Sequence, residues 1–154
     1  MNDSVVNKVK KYFNICELVS PTVYNKFGET AWKFFDTELL ETILCLREKI
    51  LKVPLVCNNW KSGGNFSQRG FRENTCDIVL DKTKEGKLYC SAHCLGKGID
   101  LSSAKMSASD MKKAIIANKK FLPYNCRIEG DAAPTWLHID VMVNPGAKDK
   151  VTIF

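Results

Sequence analysis

Two histidines are the only imidazoles in the chain, and each has an aspartate nearby in sequence. His93 precedes Asp100 by seven residues, and His138 precedes Asp140 by two. Two neutral imidazoles and a carboxylate, with a fourth position open to water, form the ligand set of a hydrolytic zinc site. Zinc in such a site lowers the pKa of a bound water from about 15.7 to about 7 and polarises a carbonyl group. The histidines therefore point to metal-assisted hydrolysis.

The spacing around both histidines suits this chemistry. Gly96 and Gly98 separate the first histidine from its aspartate, so the chain can turn and bring both side chains to one ion. Alternate residues of a strand share one face, which places Trp136, His138 and Asp140 side by side. Trp136 is then either part of the core or a wall of a substrate groove.

Two motifs resemble those of a known enzyme family. Ser-x-His-x-x-Gly-x-x-x-Asp over residues 91–100, followed by Trp-x-His-x-Asp over 136–140, is similar to the zinc D-Ala-D-Ala carboxypeptidase and L-alanyl-D-glutamate endopeptidase family. That family includes phage endolysins and has a hedgehog-like fold. The resemblance covers about residues 55–143, and we expect the whole chain, 1–154, to form a single domain. It implies one Zn²⁺ per chain. It assigns His93, Asp100 and His138 as zinc ligands and the peptide stem of bacterial peptidoglycan as substrate.

Other residues receive supporting roles. The segment Gln-Arg-Gly-Phe-Arg, ending at Arg72, is similar to a family segment whose arginine contacts the substrate. Arg72 is therefore expected to hold a substrate carboxylate or to stabilise the oxyanion. Ser91 is expected to steady the His93 loop by a hydrogen bond. Asp140 is expected to hold a ligand or an arginine rather than to bind the metal.

The catalytic carboxylate is where the sequence departs from the family. That acid commonly precedes the second histidine by three residues, and Thr135 occupies the position here. Glu129 is our preferred general base, because it ends a predicted strand beside that of His138, and Asp131 is the second choice. If both are only solvated turn residues, metal binding survives without hydrolysis. The alternative is then a non-catalytic zinc-containing binding or virion-structural domain.

Cysteine offers two further kinds of site. The seven cysteines are an odd number, which is typical of reduced thiols rather than a disulfide framework. Cys90, His93 and Cys94 could form part of a structural zinc site, but no second pair has matching spacing. A Cys–His nucleophilic pair is also open, although nothing in the local sequence singles out one thiol. Cys45 and Cys57 are predicted to be small core residues.

Charge and composition narrow the classes of partner. With 23 basic and 17 acidic residues, the formal charge is +6, which favours an anionic surface such as a cell wall. No aromatic-plus-basic signature indicates nucleic acid, and no apolar run is long enough to span a membrane. The polar N-terminal segment 1–11 lacks a signal peptide's apolar stretch. We expect a monomer made in the cytoplasm that acts on the cell wall after release from the host cell or as part of a virion.

The helices and strands predicted around these residues indicate an α+β domain. Its predicted core is a small, mostly antiparallel sheet with helices on one side and a zinc cleft. Helices are predicted over 3–12, over 37–51 after the N-cap Asp36, and over 111–119 after the capping box at Ser107. Strands are predicted over 55–57, 126–129 and 136–143. Residues 76–80 could form either a strand or a helix. A turn is predicted over 82–87, and residues 13–35 are predicted to be irregular.

Overall fold

The chain forms an α+β domain, seen in a computed structural model that describes residues 3–84, 86, 88–142 and 146–154. Within these ranges there are five α-helices: α1 (Asp3–Val9), α2 (Pro21–Phe27), α3 (Thr37–Cys45), α4 (Asp77–Lys84) and α5 (Ala108–Ala117). A π-helical turn, Leu46–Ile50, continues α3, and short 3-10 helices span Ile15–Glu17, Gly28–Phe34, Trp60–Ser62 and Lys119–Phe121. The strands are β1 (Gly98–Leu101), β2 (Cys126–Ile128), β3 (Leu137–Asp140) and β4 (Val151–Ile153).

The four strands form one mixed sheet in the order β1-β3-β2-β4. β3 is antiparallel to both β1 and β2, whereas β4 runs parallel to β2. The prediction of a mostly antiparallel sheet therefore holds for the two pairings made by β3, and the parallel pairing of β4 was not foreseen. β2 and β3 pair as the predicted hairpin, joined by the loop after Glu129.

The sheet separates an apolar face from a polar one. Asp100 and His138 are direct cross-strand neighbours, and Asp140 pairs with Gly98 on one side and Arg127 on the other. These polar side chains share one face because strand residues alternate. The opposite face carries aliphatic residues that join one hydrophobic cluster with residues of α1, α3 and α5: Ile99, Leu101, Ile128, Leu137 and Ile139. Burial of that face fixes the register and so fixes the polar side chains opposite.

The predicted helix signals are mostly confirmed. The side chain of Asp36 accepts a hydrogen bond at the start of α3, and Ser107 does the same for α5. The valines of α1 are buried, as are Leu40 and Ile43 of α3. The apolar residues of these helices belong to the same hydrophobic cluster as the apolar face of the sheet.

Several predicted elements were wrong in kind or extent. The interval 13–35 contains α2 and two 3-10 helices, which are too short to show a full apolar periodicity. Residues 55–57 make only an isolated bridge, between Val56 and Ser102. Residues 76–80, for which strand and helix were both open, are helical from Asp77 onward. The same helix, α4, runs to Lys84 and so covers half of the predicted turn 82–87. Strands β1 and β4 were missed, and the last residue of the predicted strand 136–143, Val143, lies outside the described residues.

None of the helices in the described part of the chain combines the length and apolar character needed to cross a bilayer.

Candidate metal centre

Three side chains from separate parts of the chain meet on the polar face of the sheet. Asp100 lies on β1 and His138 lies opposite it on β3. His93 lies in the turn that leads into β1. All three are buried, with 3% to 8% of their surface exposed. They form a group whose ligand atoms lie within 4.8 Å of one another and could hold a metal ion.

The separations between the ligand atoms suit a small divalent cation. Asp100 Oδ1 lies 2.8 Å from His138 Nδ1. His93 Nε2 lies 3.3 Å from His138 Nδ1 and 3.4 Å from Asp100 Oδ1. A tetrahedral ion with bonds of about 2.0 Å separates its ligand atoms by roughly 3.3 Å. Two of the three distances match that value, and the third, between Asp100 and His138, is shorter.

Each imidazole is oriented by a hydrogen bond on its other nitrogen. His93 Nδ1 lies 2.8 Å from the carbonyl oxygen of Gly70. A carbonyl only accepts, so Nδ1 carries a proton, and Nε2 is the nitrogen that faces Asp100 and His138. His138 Nε2 lies 3.1 Å from Asp140 Oδ2, which leaves Nδ1 as the nitrogen facing Asp100. Hydrogen bonds of this kind fix the tautomer and ring orientation of metal-binding histidines.

Asp140 contacts both a histidine and an arginine. It is fully buried. Arg127 donates to it from Nε at 2.9 Å and from Nη2 at 3.0 Å. The backbone N–H of Met142 also donates to Oδ1, at 2.9 Å. These bonds leave Asp140 oriented toward His138 Nε2 and on the far side of that ring from Asp100.

The electrostatics of the group favour charged carboxylates. Burial by itself would raise the pKa of Asp100, but hydrogen bonds from His138 and His93 outweigh it and lower the pKa well below its ordinary value. Burial would likewise lower the pKa of His138, but its hydrogen bonds to Asp100 and Asp140 raise the pKa to about 9. In the metal-free protein, a proton on His138 therefore occupies the position that a cation would take.

Arg72 contacts the metal group directly. Its Nη2 lies 3.2 Å from Asp100 Oδ2, its Nε donates to the carbonyl of Gln68 at 2.7 Å, and its Nη1 lies 3.4 Å from the Tyr89 hydroxyl. The same segment supplies the Gly70 carbonyl to His93. The Gln68–Arg72 segment thus orients both a candidate ligand carboxylate and a candidate ligand imidazole, and this role was not predicted.

The two glycines before Asp100 permit the approach of the His93 turn. Gly96 has a φ of +66°, and a Cβ there would lie 1.9 Å from the carbonyl oxygen of Phe34. A Cβ on Gly98 would lie 2.7 Å from the Cβ of Ala92 and 3.3 Å from that of Asp140. The turn therefore packs onto β1 only because Gly98 has no side chain, and it approaches the Phe34 carbonyl only because Gly96 has none.

The metal group opens into a cleft of about 300 Å³. Trp136 and Ser91 line it, so Trp136 contributes a wall. Ser91 Oγ lies 3.4 Å from Cys94 Sγ within the His93 turn, which agrees with a steadying role. Glu129 also lines the cleft and is half-buried. Within the described chain, no hydrogen bond or ion pair engages its carboxylate.

The second-choice acid, Asp131, and the position of the family's catalytic acid, Thr135, lie outside the cleft. Asp131 and Thr135 are both exposed, and neither is among the residues lining the cleft. The loop between Glu129 and His138 is held by Lys112 of α5, whose Nζ donates to the carbonyls of Gly130 and Ala133 at 2.7 Å each. Glu129 is therefore the acid that the hairpin brings to the metal group.

Among the cleft residues that sequence reasoning missed, three contact the metal group or the residues that orient it. Arg127 and Phe154 come from β2 and the residue after β4, and Tyr89 comes from the segment before the His93 turn. The Phe154 ring lies edge-on to His138 at 5.8 Å, with the Arg127 guanidinium 4.6 Å from its centroid. The alternation of strand 126–129 could have placed Arg127 beside Asp140. Phe154 had no such signal, because β4 was not predicted.

The thiols do not compete for this role. Among the residues that the structure describes, no cluster of three candidate ligands includes a cysteine. Cys45 and Cys57 are buried as predicted. Burial raises the pKa of Cys126 to about 12 and raises that of Cys57 well above its ordinary value, so these two remain neutral thiols.

No family model, no curated protein and no solved structure matches this chain.

Proposed function

We propose that this protein is a zinc-dependent peptidase that hydrolyses an amide bond in the peptide stem of bacterial peptidoglycan. The observation that carries the proposal is the convergence of His93, Asp100 and His138 in an open cleft. Both imidazoles have their second nitrogen engaged by an acceptor, so each presents its other nitrogen to the same point, where a metal ion would replace the proton on His138. Structural zinc sites are usually closed by a fourth protein ligand, whereas this group opens to solvent, as catalytic sites do.

The metal ligands and Glu129 have separate roles in the proposed hydrolysis. Zinc bound by the three ligands would activate a water molecule and polarise the substrate carbonyl. Glu129 accepts the proton of the attacking water and returns it to the leaving amine. Its lack of another partner among the described residues leaves both oxygens available for this exchange.

The two arginines keep the ligand shell charged and oriented. Arg72 holds Asp100, and Arg127 holds the carboxylate that orients His138. Arg72 also lines the cleft beside the Tyr89 hydroxyl. In our proposal the Arg72 guanidinium and the Tyr89 hydroxyl bind the substrate carboxylate or stabilise the oxyanion as its charge develops.

The choice of peptidoglycan is supported by the two motifs and by the charge. Ser-x-His-x-x-Gly-x-x-x-Asp and Trp-x-His-x-Asp resemble the cell-wall peptidase family, and the net charge of +6 favours an anionic wall. Trp136 and Phe154 give the cleft two aromatic walls, against which a peptide can pack. A phage-type lytic enzyme that reaches the wall after release fits these features.

The test is digestion of purified peptidoglycan, followed by mass spectrometry of the products and elemental analysis of the protein. We expect about one zinc per chain and digestion that a chelator abolishes and added zinc restores. Glu129→Gln should lower the rate by at least about 100-fold with zinc content unchanged, while Asp131→Asn keeps the parent rate. If both variants digest peptidoglycan at the parent rate, the assignment of the general base is wrong.

A second candidate function is a non-catalytic zinc-containing domain of a virion or a binding protein. The exposed Thr135 favours it, because the resembled family commonly places its catalytic acid at that position. This candidate predicts one zinc per chain and no digestion product from any peptidoglycan tested. Chelation would then lower thermal stability without changing an enzymatic rate.

A further inference from the structure

Glu129 lies at a weakly restrained point of the hairpin that carries it to the metal cleft. β2 ends one residue earlier, at Ile128, and Gly130 follows directly. A glycine has no Cβ to restrict its backbone, so the chain can turn freely at this position. Within the described chain, the Glu129 carboxylate has no hydrogen bond or ion pair of its own. Its position therefore depends on what fixes the backbone beside it.

The backbone bonds around Glu129 are of unequal quality. The Glu129 N–H donates to the carbonyl oxygen of His138 at 3.3 Å, and the Ala133 N–H donates to that of Gly130, also at 3.3 Å. Both distances exceed the usual range of about 2.7–3.2 Å. The Gly130 N–H donates to the Phe154 carbonyl at 2.9 Å, which is a normal bond. The Gly130 carbonyl therefore has only a weak backbone donor.

A charged side chain supplies the strong bond to this carbonyl. Lys112 Nζ donates to the carbonyl oxygens of Gly130 and Ala133 at 2.7 Å each. Charge-assisted bonds of this length are about twice as strong as neutral ones. Both acceptors are backbone groups, so within the described chain this ammonium is engaged by the loop rather than by a carboxylate.

The side chain of Lys112 extends from a helix that is fixed in the core. Met111 and Ile115 of α5 are fully buried, and Ala108 is buried as well. Residues three and four apart on a helix are neighbours, so half-buried Lys112 lies beside Ala108 and Ile115. A lysine in this setting lays its apolar stem along buried surface and extends its ammonium outward. Two bonds from one fixed ammonium therefore restrain the loop at its first and fourth residues.

We propose that Lys112 is a positioning residue, which holds Gly130 and thereby keeps the Glu129 carboxylate at the metal cleft. This role rests on the proposed function, in which Glu129 is the general base. Lys112 is not among the residues lining the cleft, and it takes no part in the proton transfer. Its effect is geometric, because a displacement of about 1 Å at a reacting group can lower a rate by about 100-fold.

The test removes both bonds and keeps a side chain of similar length. Lys112→Met in the full-length, zinc-loaded protein should lower kcat for digestion of a soluble stem peptide by about 10- to 100-fold. KM and zinc content should stay at the parent values. Lys112→Arg should recover part of the loss, because a guanidinium can donate to both carbonyls. The matched control is Lys113→Met, which removes the same charge from the exposed neighbour and should leave kcat unchanged.

A double variant distinguishes positioning from a general structural role. Without the Glu129 carboxylate there is no base to position, so adding Lys112→Met to Glu129→Gln should cause no further fall in kcat. A further fall as large as that in the parent background would overturn the proposal. A Lys112→Met protein with the parent kcat would overturn it as well.

A second readout does not depend on activity. Loss of the two bonds should speed hydrogen exchange at the Gly130 amide by about tenfold, measured by NMR, whereas Lys113→Met should not change it. Exchange that stays at the parent rate in Lys112→Met would contradict the proposal. Faster exchange in a protein that digests no peptidoglycan means that Lys112 holds the hairpin and that the proposed peptidase function is wrong. Digestion with exchange and kcat both unchanged by Lys112→Met means the reverse.

Discussion

Asp140 is the residue whose contribution to the metal centre can be measured most cleanly. It binds no metal in our assignment, yet it accepts from His138 Nε2 and pairs in a bidentate manner with Arg127. Asp140→Asn removes the charge that stabilises the N–H of His138 and leaves Arg127 without its ion pair. We expect zinc affinity to fall by about 10- to 100-fold, measured by competition with a chromophoric chelator.

An exposed ion pair provides the control. Asp149 pairs with Lys119 at 2.6 Å, and both side chains are exposed. Ion pairs between exposed side chains contribute little to stability. Asp149→Asn should therefore leave zinc affinity unchanged. An Asp140→Asn protein with the parent affinity would contradict the role that we assign to this carboxylate.

The titration of His138 links pH to both stability and metal binding. Its folded pKa of about 9 lies above the unfolded value of about 6.5. The stability that this imidazolium contributes is therefore fully present below about pH 6.5 and is lost as the pH rises through about 9. Metal binding needs the neutral imidazole, so its dependence on pH has the opposite sign.

We therefore expect two opposite trends between about pH 6.5 and 8.5. The unfolding temperature of the chelator-treated protein should fall as the pH rises, and the increase in that temperature on adding zinc should grow. Differential scanning calorimetry at three pH values measures both. The control is His138→Gln, in which the pH trend of the metal-free protein should flatten. A zinc increment that shrinks with rising pH would contradict this assignment.

At the scale of elements, the contact between the His93 turn and β1 depends on the missing side chain of Gly98. Gly98→Ala would place a Cβ 2.7 Å from that of Ala92, so the turn must move away from the sheet. We expect a loss of about 1–3 kcal/mol in the free energy of unfolding and weaker zinc binding, because His93 moves with the turn. Chemical denaturation and chelator competition measure the two effects.

A second substitution can separate the clash from other causes. Ala92→Gly removes the methyl group that the new Cβ would meet, so the double variant should regain part of both losses. Contacting residues are expected to be non-additive in this way. Strictly additive effects would show that the Gly98 contact does not govern the position of His93.

At the scale of the whole molecule, the net charge of +6 predicts how the protein associates with an anionic wall. Screening shortens the reach of charge from about 10 Å at 0.1 M salt to about 3 Å at 1 M. Co-sedimentation with purified, undigested peptidoglycan should therefore fall steeply over that range, for the Glu129→Gln protein as well. Retention that does not depend on salt would assign wall binding to the cleft alone.

The sequence by itself identified the residue types and most of the helices. The rarity of histidine, the glycines before Asp100 and the alternation around His138, together with the resemblance of the two motifs, predicted the three candidate ligands that the fold brings together. The N-cap residues Asp36 and Ser107 marked two helices, because a capping side chain acts within a few residues of itself. These signals are local in the chain and can be read without knowing the fold.

The tertiary structure decided how those residues are held. β1 carries Asp100 yet was missed, since its four residues are too few for their alternation to stand out beside the glycine-containing turn before them. The pairing of β4 with β2, which brings Phe154 to His138, joins distant parts of the chain. The hydrogen bond from Arg72 to Asp100 likewise exists only after packing. Contacts between residues far apart in sequence are set by burial of the apolar face of the sheet, and no local pattern encodes them.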